Sequence, residues 1–573
     1  MCLYLDLQGG LREGERVKRS IAAAVAALVA LVFAATASAA NWSFVGTNQV
    51  ASTPTSGAGY PVPPGSRVPE AGTCREGPFN ANHSESWIAV KPGTEDLVGS
   101  AKYFFDKYST FYMFYLGALQ ILGGTPSGNN QIQGYDCLST GTNGQLNQDM
   151  PPSWTDTTDP NLDFDTKGRV YQTMLPFNSF FDATKLHPDG EIDMSYSDDM
   201  GRHWVKGNGG RPLEPSNNAS AKQIGHVEDK QWVAVNHIVG NINQDHVYAA
   251  WAVFNGNGGG IKVRMAVSRD RGQTFDKAVT ITPPSQVSAG ATYVYPEIDA
   301  AGYVYVSVVS FPPNGTNSTI YVARSTDDGR TFGTFVPITT VNIPPGEVFP
   351  NTRFRSGIVE NFAASPTHTG HLYLTYEDWD PIVGQADVKF IQSTDGGFTW
   401  TTPVVVNDNV DLPGQATDQF QPSVAAGPNG AVAVAFYDRR LPCPSDASVL
   451  SPDVGRTNFC IDTSLQAYKD SGAGAVGVGG NVRISEFTWD PEQPGQHLGG
   501  LSQYPCAGAR DPCPNGRGFI GDYFGLAISN ANIYALPIST HYPSNVTAEE
   551  GGPIYYQQQV LATVPRSAIG AGY

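Results

Sequence analysis

The sequence predicts an all-β fold, a β-propeller of four-stranded antiparallel blades, and three observations carry that prediction. The first is a turn pattern written four times: SDDMGRHW at 197–204, SRDRGQTF at 268–275, STDDGRTF at 325–332 and STDGGFTW at 393–400. In each, the Asp carboxylate can accept backbone N–H groups inside the turn, the Gly permits positive φ, and the closing aromatic folds back as an apolar plug. The second is a set of period-2 runs between these turns, HVYAAWAVF from His246, YVYVSVVSF from Tyr303, HLYLTYEDW from His371 and AVAVAFYD from Ala431, β-branched or aromatic on one face. The third is composition: 11% aromatic, only 15% charged, with 63 Gly and 42 Pro, a balance that favours strands and turns over helices or disorder.

Each long run follows a shorter one, and the shorter runs resemble one another: ESWIAVKP from Glu85, DPNLDFDTKG from Asp159, DKQWVAVN from Asp229, YPEIDAAG from Tyr295, ENFAASPTHTG from Glu360, FQPSVAAGPNG from Phe420 and GDYFGLAIS from Gly521. The repeating unit is therefore a short inner strand, a long second strand, a third strand and a hairpin into a fourth. Such sheets cannot bury both faces alone and pack radially. Seven inner-strand starts predict seven blades, with six as the alternative count and a β-sandwich array as the competing architecture. The last repeat lacks a clear fourth strand, and WSFVGTNQV from Trp42 is placed to supply it and close the ring. The stretches 124–158, 207–228 and 440–520 read as insertions between strands.

Lys18 and Arg19 precede an apolar run from Ile21 to Ala35, and Ala37-Ser38-Ala39 offers a cleavage site, so residues 1–40 read as a secretory signal with Val17 as an alternative start, followed by a single domain over 41–573. A formal charge of −18 disfavours nucleic acid and anionic membranes as partners. Cys443 with Cys460 and Cys506 with Cys513 are the nearest cysteine pairs in an exported chain, hence the expected disulfides. TDTTDPNLDFD at 155–165 has the oxygen donors calcium prefers, without the spacing of a helix-loop-helix calcium loop; a structural calcium is the only ion considered and no cofactor is implied. His83, His226, His237 and His541 are candidate bases for a polysaccharide lyase.

A propeller brings the starts of its inner strands together around one axis. Glu85, Asp159, Asp229, Lys230, Glu297, Glu360, Gln421, Asp522 and Tyr523 are then expected to converge on an axial pocket, where carboxylates facing one another raise each other's pKa and suit acid and base roles.

The four turns resemble the Asp-box, or bacterial neuraminidase repeat, of the sialidase superfamily, and the series ending in FIGDYFGLA resembles secreted bacterial proteins grouped with exo-sialidases. The resemblance implies that Asp199, Asp270, Asp327 and Asp395 are structural. It implies an arginine clamp drawn from Arg353, Arg355, Arg439 and Arg440, bidentate forks being suited to a substrate carboxylate. It further implies Tyr523 as nucleophile with Glu360 or Glu297 as its partner, Asp159 as acid and Asp522 beside them, with Glu85, Asp229, Lys230, Gln421 and Asp438 as substrate contacts. The family's early Phe/Tyr-Arg-Ile-Pro motif is absent, since the first inner strand carries Ser84-Glu85-Ser86-Trp87. The expected activity is glycoside hydrolysis by an exported protein; a non-catalytic glycan- or protein-binding propeller and a polysaccharide lyase are the alternatives.

Overall fold

The four repeated turns fold as their chemistry dictates in a computed structural model that describes residues 42–52, 59–61, 74–76, 82–104, 114–131, 156–178, 189–215, 226–255, 260–287, 291–311, 317–352, 354–357, 360–411, 414–493, 519–545, 547, 551–570 and 572–573. In the third turn, Ser325 Oγ donates to Asp327 Oδ1 at 2.8 Å and accepts the Gly329 N–H at 3.0 Å, while Asp327 accepts the Thr331 N–H and hydroxyl at 2.9 and 2.6 Å. The set recurs around Asp270 and Asp395, and around Asp199 with His203 in place of Thr. The indoles of Trp204 and Trp400 donate back to the carbonyls of Gly201 and Gly397 at 3.1 Å. Each Asp is thus spent inside its own turn. Asp327→Ala is expected to cost on the order of 1 kcal/mol, read as a lower urea midpoint with turnover unchanged.

Each turn joins the third strand of a blade to its fourth. The blades are antiparallel and follow chain order: His83–Val90, Leu97–Phe104, Phe114–Leu122 and Thr125–Gln131 make the first. In the second, Val170–Asn178 pairs with the short inner pieces Asp156–Thr158 and Asp163–Phe164 on one side and with Asp193–Ser197 on the other. The third to sixth blades begin with inner strands His226–Val235, Ala291–Ile298, Glu360–Ala364 and Gln419–Ala426, each leading a four-stranded sheet. The seventh takes Leu526–Ile528, Asn532–Ala535 and Gln558–Pro565 from the end of the chain and Thr47–Val50 from its beginning, with Thr47 opposite Thr563 and Val50 opposite Val560. Seven four-stranded sheets therefore close a ring, and the six-blade and sandwich alternatives fall.

All three expected insertions are partly blade, the second only where the inner strand His226–Val235 begins. Thr125–Gln131 is the fourth strand of the first blade, and Asp462–Asp470 with Ala475–Arg483 complete the sixth. Both lack the Asp-bearing turn that marks the other third-to-fourth connections, so their strands were hidden in polar, Gly-rich sequence. The expected Cys443–Cys460 disulfide is present, tying the loop that enters Asp462–Asp470. Residues 1–40, Cys137, Cys506, Cys513 and Arg353 lie outside the described residues. Among the described residues no helix is long and apolar enough to cross a membrane.

The core is the set of spaces between neighbouring blades, filled by inward-facing Val, Ala, Leu and Tyr; Tyr103, Tyr171, Tyr248, Trp251, Tyr305 and Tyr373 are fully buried. The seam between last and first blades depends on Gly525, where a Cβ would stand 2.3 Å from Ile88 N and 2.7 Å from Trp87 C. Gly525→Ala is expected to cost about 1–3 kcal/mol by forcing these blades apart, measured as a lower melting temperature.

The inner strands share one irregularity. A bulge interrupts the register at Ser84/Ser86, Asp229/Trp232, Thr292/Tyr295 and Phe420/Ser423. At these points Glu85, Lys230, Tyr293 and Gln421 adopt φ of 37°, 51°, 51° and 44°, and Asp159 in the second blade adopts 59°. Left-handed backbone in bulky residues costs energy and re-aims the side chain. Here it recurs at one level of the ring.

Candidate functional site at the axial mouth

Past each bulge, residues two apart point along the axis. Glu85, Lys230 and Tyr293 form an upper tier; Trp87, Trp232 and Tyr295 form the tier beneath; Glu297 follows Tyr295 two residues further down. The middle tier is a plug of rings. Trp232 packs edge-on against Trp87 at 4.6 Å, Tyr295 at 4.6 Å and Tyr523 at 5.2 Å between centroids.

Above this plug lies a network of opposite charges. Asp522 takes Arg355 in a two-pronged bond, from Nε to Oδ1 at 3.0 Å and from Nη2 to Oδ2 at 2.5 Å, and takes Lys230 Nζ at 2.9 Å. Lys230 Nζ also stands 3.8 Å from Asp159 and 4.0 Å from Glu85, and Lys102 pairs with Glu85 at 2.7 Å. Five of these six groups, Glu85, Lys102, Asp159, Lys230 and Asp522, are buried; Arg355 keeps 30% of its side-chain surface. Burial works against the Asp522 charge, but Arg355 and Lys230 outweigh it and hold this carboxyl far below the usual range. Burial likewise opposes the Lys230 charge and is overcome by Asp159 and Asp522, which push its pKa up. Glu85 is raised, chiefly by burial.

Asp159 and Asp229 converge on a single donor. The Lys230 backbone N–H donates to Asp229 Oδ1 at 2.9 Å and to Asp159 Oδ2 at 3.1 Å. Asp229 is pushed up to about 7 by burial and then by the adjacent Asp159 carboxylate, to which it is hydrogen-bonded. In Asp159 burial is outweighed by Lys230 and Lys102, which hold the pKa below its ordinary value. The two carboxyls are thus displaced in opposite directions, Asp229 up and Asp159 down, the pattern expected of an acid and its charged partner. Asp229, Tyr293 and Arg355 are the members of this group that keep solvent exposure. They line the mouth.

No known protein-family model matches the chain, and no curated protein matches it in sequence. Solved structures similar to it include a protein of unknown function from Dyadobacter fermentans (13% identity, 63% of this chain and 91% of that one, TM-score 0.41). A Hadza microbial sialidase aligns at 11% identity over 92% of this chain and 99% of that one, TM-score 0.37. The α-L-arabinofuranosidase Arb93A of Fusarium graminearum aligns at 14% over 62% and 96%, TM-score 0.34. Likeness at this level carries no inference about the reaction.

Of the residues expected at the axis, the structure brings together Glu85, Asp159, Asp229, Lys230, Arg355, Asp522 and Tyr523. Gln421 is beside them, its side-chain amide donating to the Gly521 carbonyl at 2.6 Å. Glu360 is fully buried with neither carboxylate oxygen hydrogen-bonded to another side chain, and burial raises it well above the usual range. Tyr523 is also buried; its hydroxyl donates to the Pro160 carbonyl at 3.1 Å, and burial, Glu85 and Asp159 push the phenol up, the opposite of nucleophile activation.

Several expectations are corrected. Glu297 faces the other mouth, because its strand starts at Ala291 and the residue at the upper tier is Tyr293. Arg439 is fully buried against Asp418 at 3.1 Å and the Phe459 carbonyl, and Asp438 is bound by Arg440, Gln419 and Ser464 in the sixth blade, so neither joins the mouth. Arg440 itself bridges Asp438 and Asp408 and lies over Trp42. Three of the candidate histidines do not gather: His83 stacks on Tyr103, His541 on Phe487, and His237 sits near Asp163 at the opposite mouth, while the side chain of His226 lies outside the described residues. Asp163 and Asp165 point away from Asp159, towards the next blade's Val235 N–H and into their own turn with Arg169 and Lys167. The residues not foreseen are Lys102 and Tyr293. The signal for the first was a lone lysine inside the apolar run LVGSAKYF.

Proposed function

We propose that this chain is an exported glycoside hydrolase working at the axial mouth, with Asp229 as the proton donor to the leaving oxygen. The observation that carries this reading is the Asp229–Asp159 pair: two carboxyls on adjacent blades, meeting at one N–H, with pKa values displaced in opposite directions. In this scheme Asp159, held charged by Lys230, receives the proton's hydrogen bond and keeps Asp229 protonated near neutrality. Arg355 is locked in orientation by Asp522 and offers its remaining edge to an anionic or hydroxyl-rich sugar, and Tyr293 supplies a ring on which a sugar face can rest. Among the described residues Arg355 is the one arginine at the mouth. The Cys443–Cys460 disulfide supports export.

The test is release of fluorophore from a panel of aryl glycosides that includes sialosides, arabinofuranosides and uronides. The expected result is turnover of at least one class that is lost in Asp229→Asn. Silence across the panel, or turnover indifferent to that substitution, overturns the assignment and leaves a glycan-binding propeller.

A further inference from the structure

The axial channel has a second chamber beneath the aromatic plug. It is a cavity of about 510 Å³, with the indoles of Trp87 and Trp232 at its closed end and small residues such as Ala89 and Ala364 along its walls. Its volume is within the range of small-molecule sites. Among its described lining residues the ionisable ones are Asp163, His237 and Glu297, and no lysine or arginine is present. Asp163 is already committed, accepting the Val235 N–H at 2.7 Å and the Phe164 N–H at 2.8 Å, with His237 Nδ1 3.9 Å away. The Glu297 carboxyl accepts from the Ala364 N–H, and burial, with the neighbouring Asp163, pushes its pKa well above the usual carboxylate range. An acid facing an apolar chamber floored by indoles, with no lysine or arginine among the described lining residues, is held neutral for want of a counter-charge, which an entering cation would supply.

We propose that this chamber binds a compact organic cation of the quaternary-ammonium class, with Glu297 as its counter-ion and Trp87 and Trp232 as the aromatic floor. Alkylated ammonium groups are recognised by aromatic rings with a nearby carboxylate because they carry charge without a tight hydration shell. The chamber supplies both elements. It lies on the side of the plug away from Asp229, so the inference stands apart from the hydrolase reading.

The probes are choline and its neutral isostere 3,3-dimethylbutan-1-ol, titrated into the full chain by calorimetry and by tryptophan fluorescence. Choline is expected to bind at least about tenfold more tightly than the alcohol and to perturb tryptophan emission. Glu297→Gln is expected to erase that preference, Glu297→Asp to retain part of it, and Asp229→Asn to leave it unchanged. Equal affinity of the two probes in the unaltered protein overturns the cation assignment, whatever the variants do. Absence of binding by either at millimolar concentration overturns the site, and a preference that survives Glu297→Gln or vanishes in Asp229→Asn places it elsewhere.

Discussion

Asp229→Asn is expected to lower kcat by about 10²–10⁴-fold, the usual contribution of a positioned general acid, while the protein remains folded. The unaltered enzyme should lose kcat/KM as pH rises through about 7, where Asp229 gives up its proton. The same substitution has a predicted signature in stability. Because the folded-state pKa of Asp229 lies above its unfolded value near 4, its contribution is fully present below that value and is lost as pH rises through the folded pKa. The variant, which has no such proton to lose, should therefore match the parent at pH 5 and melt at a higher temperature at pH 8. A melting difference that does not grow between those two pH values would remove the Asp229 proton, and with it the acid. Activity and stability moving in opposite directions is what separates a proton donor from a merely structural carboxyl.

Lys230→Met is expected to have the larger effect on folding, about 3–5 kcal/mol at pH 7, since it leaves Asp159, Asp522 and Glu85 buried with less compensating charge. Asp159 is held below its ordinary range chiefly by this lysine, and Asp522 by Arg355 and then by this lysine. Their stabilising contribution is present above the unfolded carboxylate pKa and is lost as pH falls through the folded value. The deficit of Lys230→Met should therefore shrink in acid, where the orphaned carboxyls can be protonated. Urea unfolding at pH 7 and pH 4 measures both quantities. A deficit under about 1 kcal/mol at pH 7 would mean that water, rather than Lys230, balances the charges.

The architecture was legible because its grammar is local. Ser–x–Asp–x–Gly turns specify their own hydrogen bonds within eight residues, and strongly β-forming runs such as YVYVSVVSF become second strands buried on both faces between neighbouring blades. Even the ring closure by WSFVGTNQV followed from counting strands. Register was harder. The run YPEIDAAG places Tyr295 and Glu297 at the start of an inner strand, but the strand begins at Ala291 and a bulge at Tyr293 decides which side chain reaches the mouth. A bulge adds one residue and shifts the tier of everything after it, and nothing in ATYVYPEI announces it. Arg439 and Asp438 failed for a different reason: a charged pair at a strand end reads the same whether it faces an axis or a neighbouring loop. Lys102 was missed because it lies on a second strand, outside the series of inner-strand starts.

Blade seven is stitched from opposite ends of the polypeptide, with Ser52 and Gln559, 507 positions apart, hydrogen-bonded to one another. On a ribosome the early segment must wait, unmated, until nearly every other residue has been synthesised. A nascent or prematurely terminated product is therefore an open arc with two raw edges, soluble only while something guards them, and competence arrives in one late event.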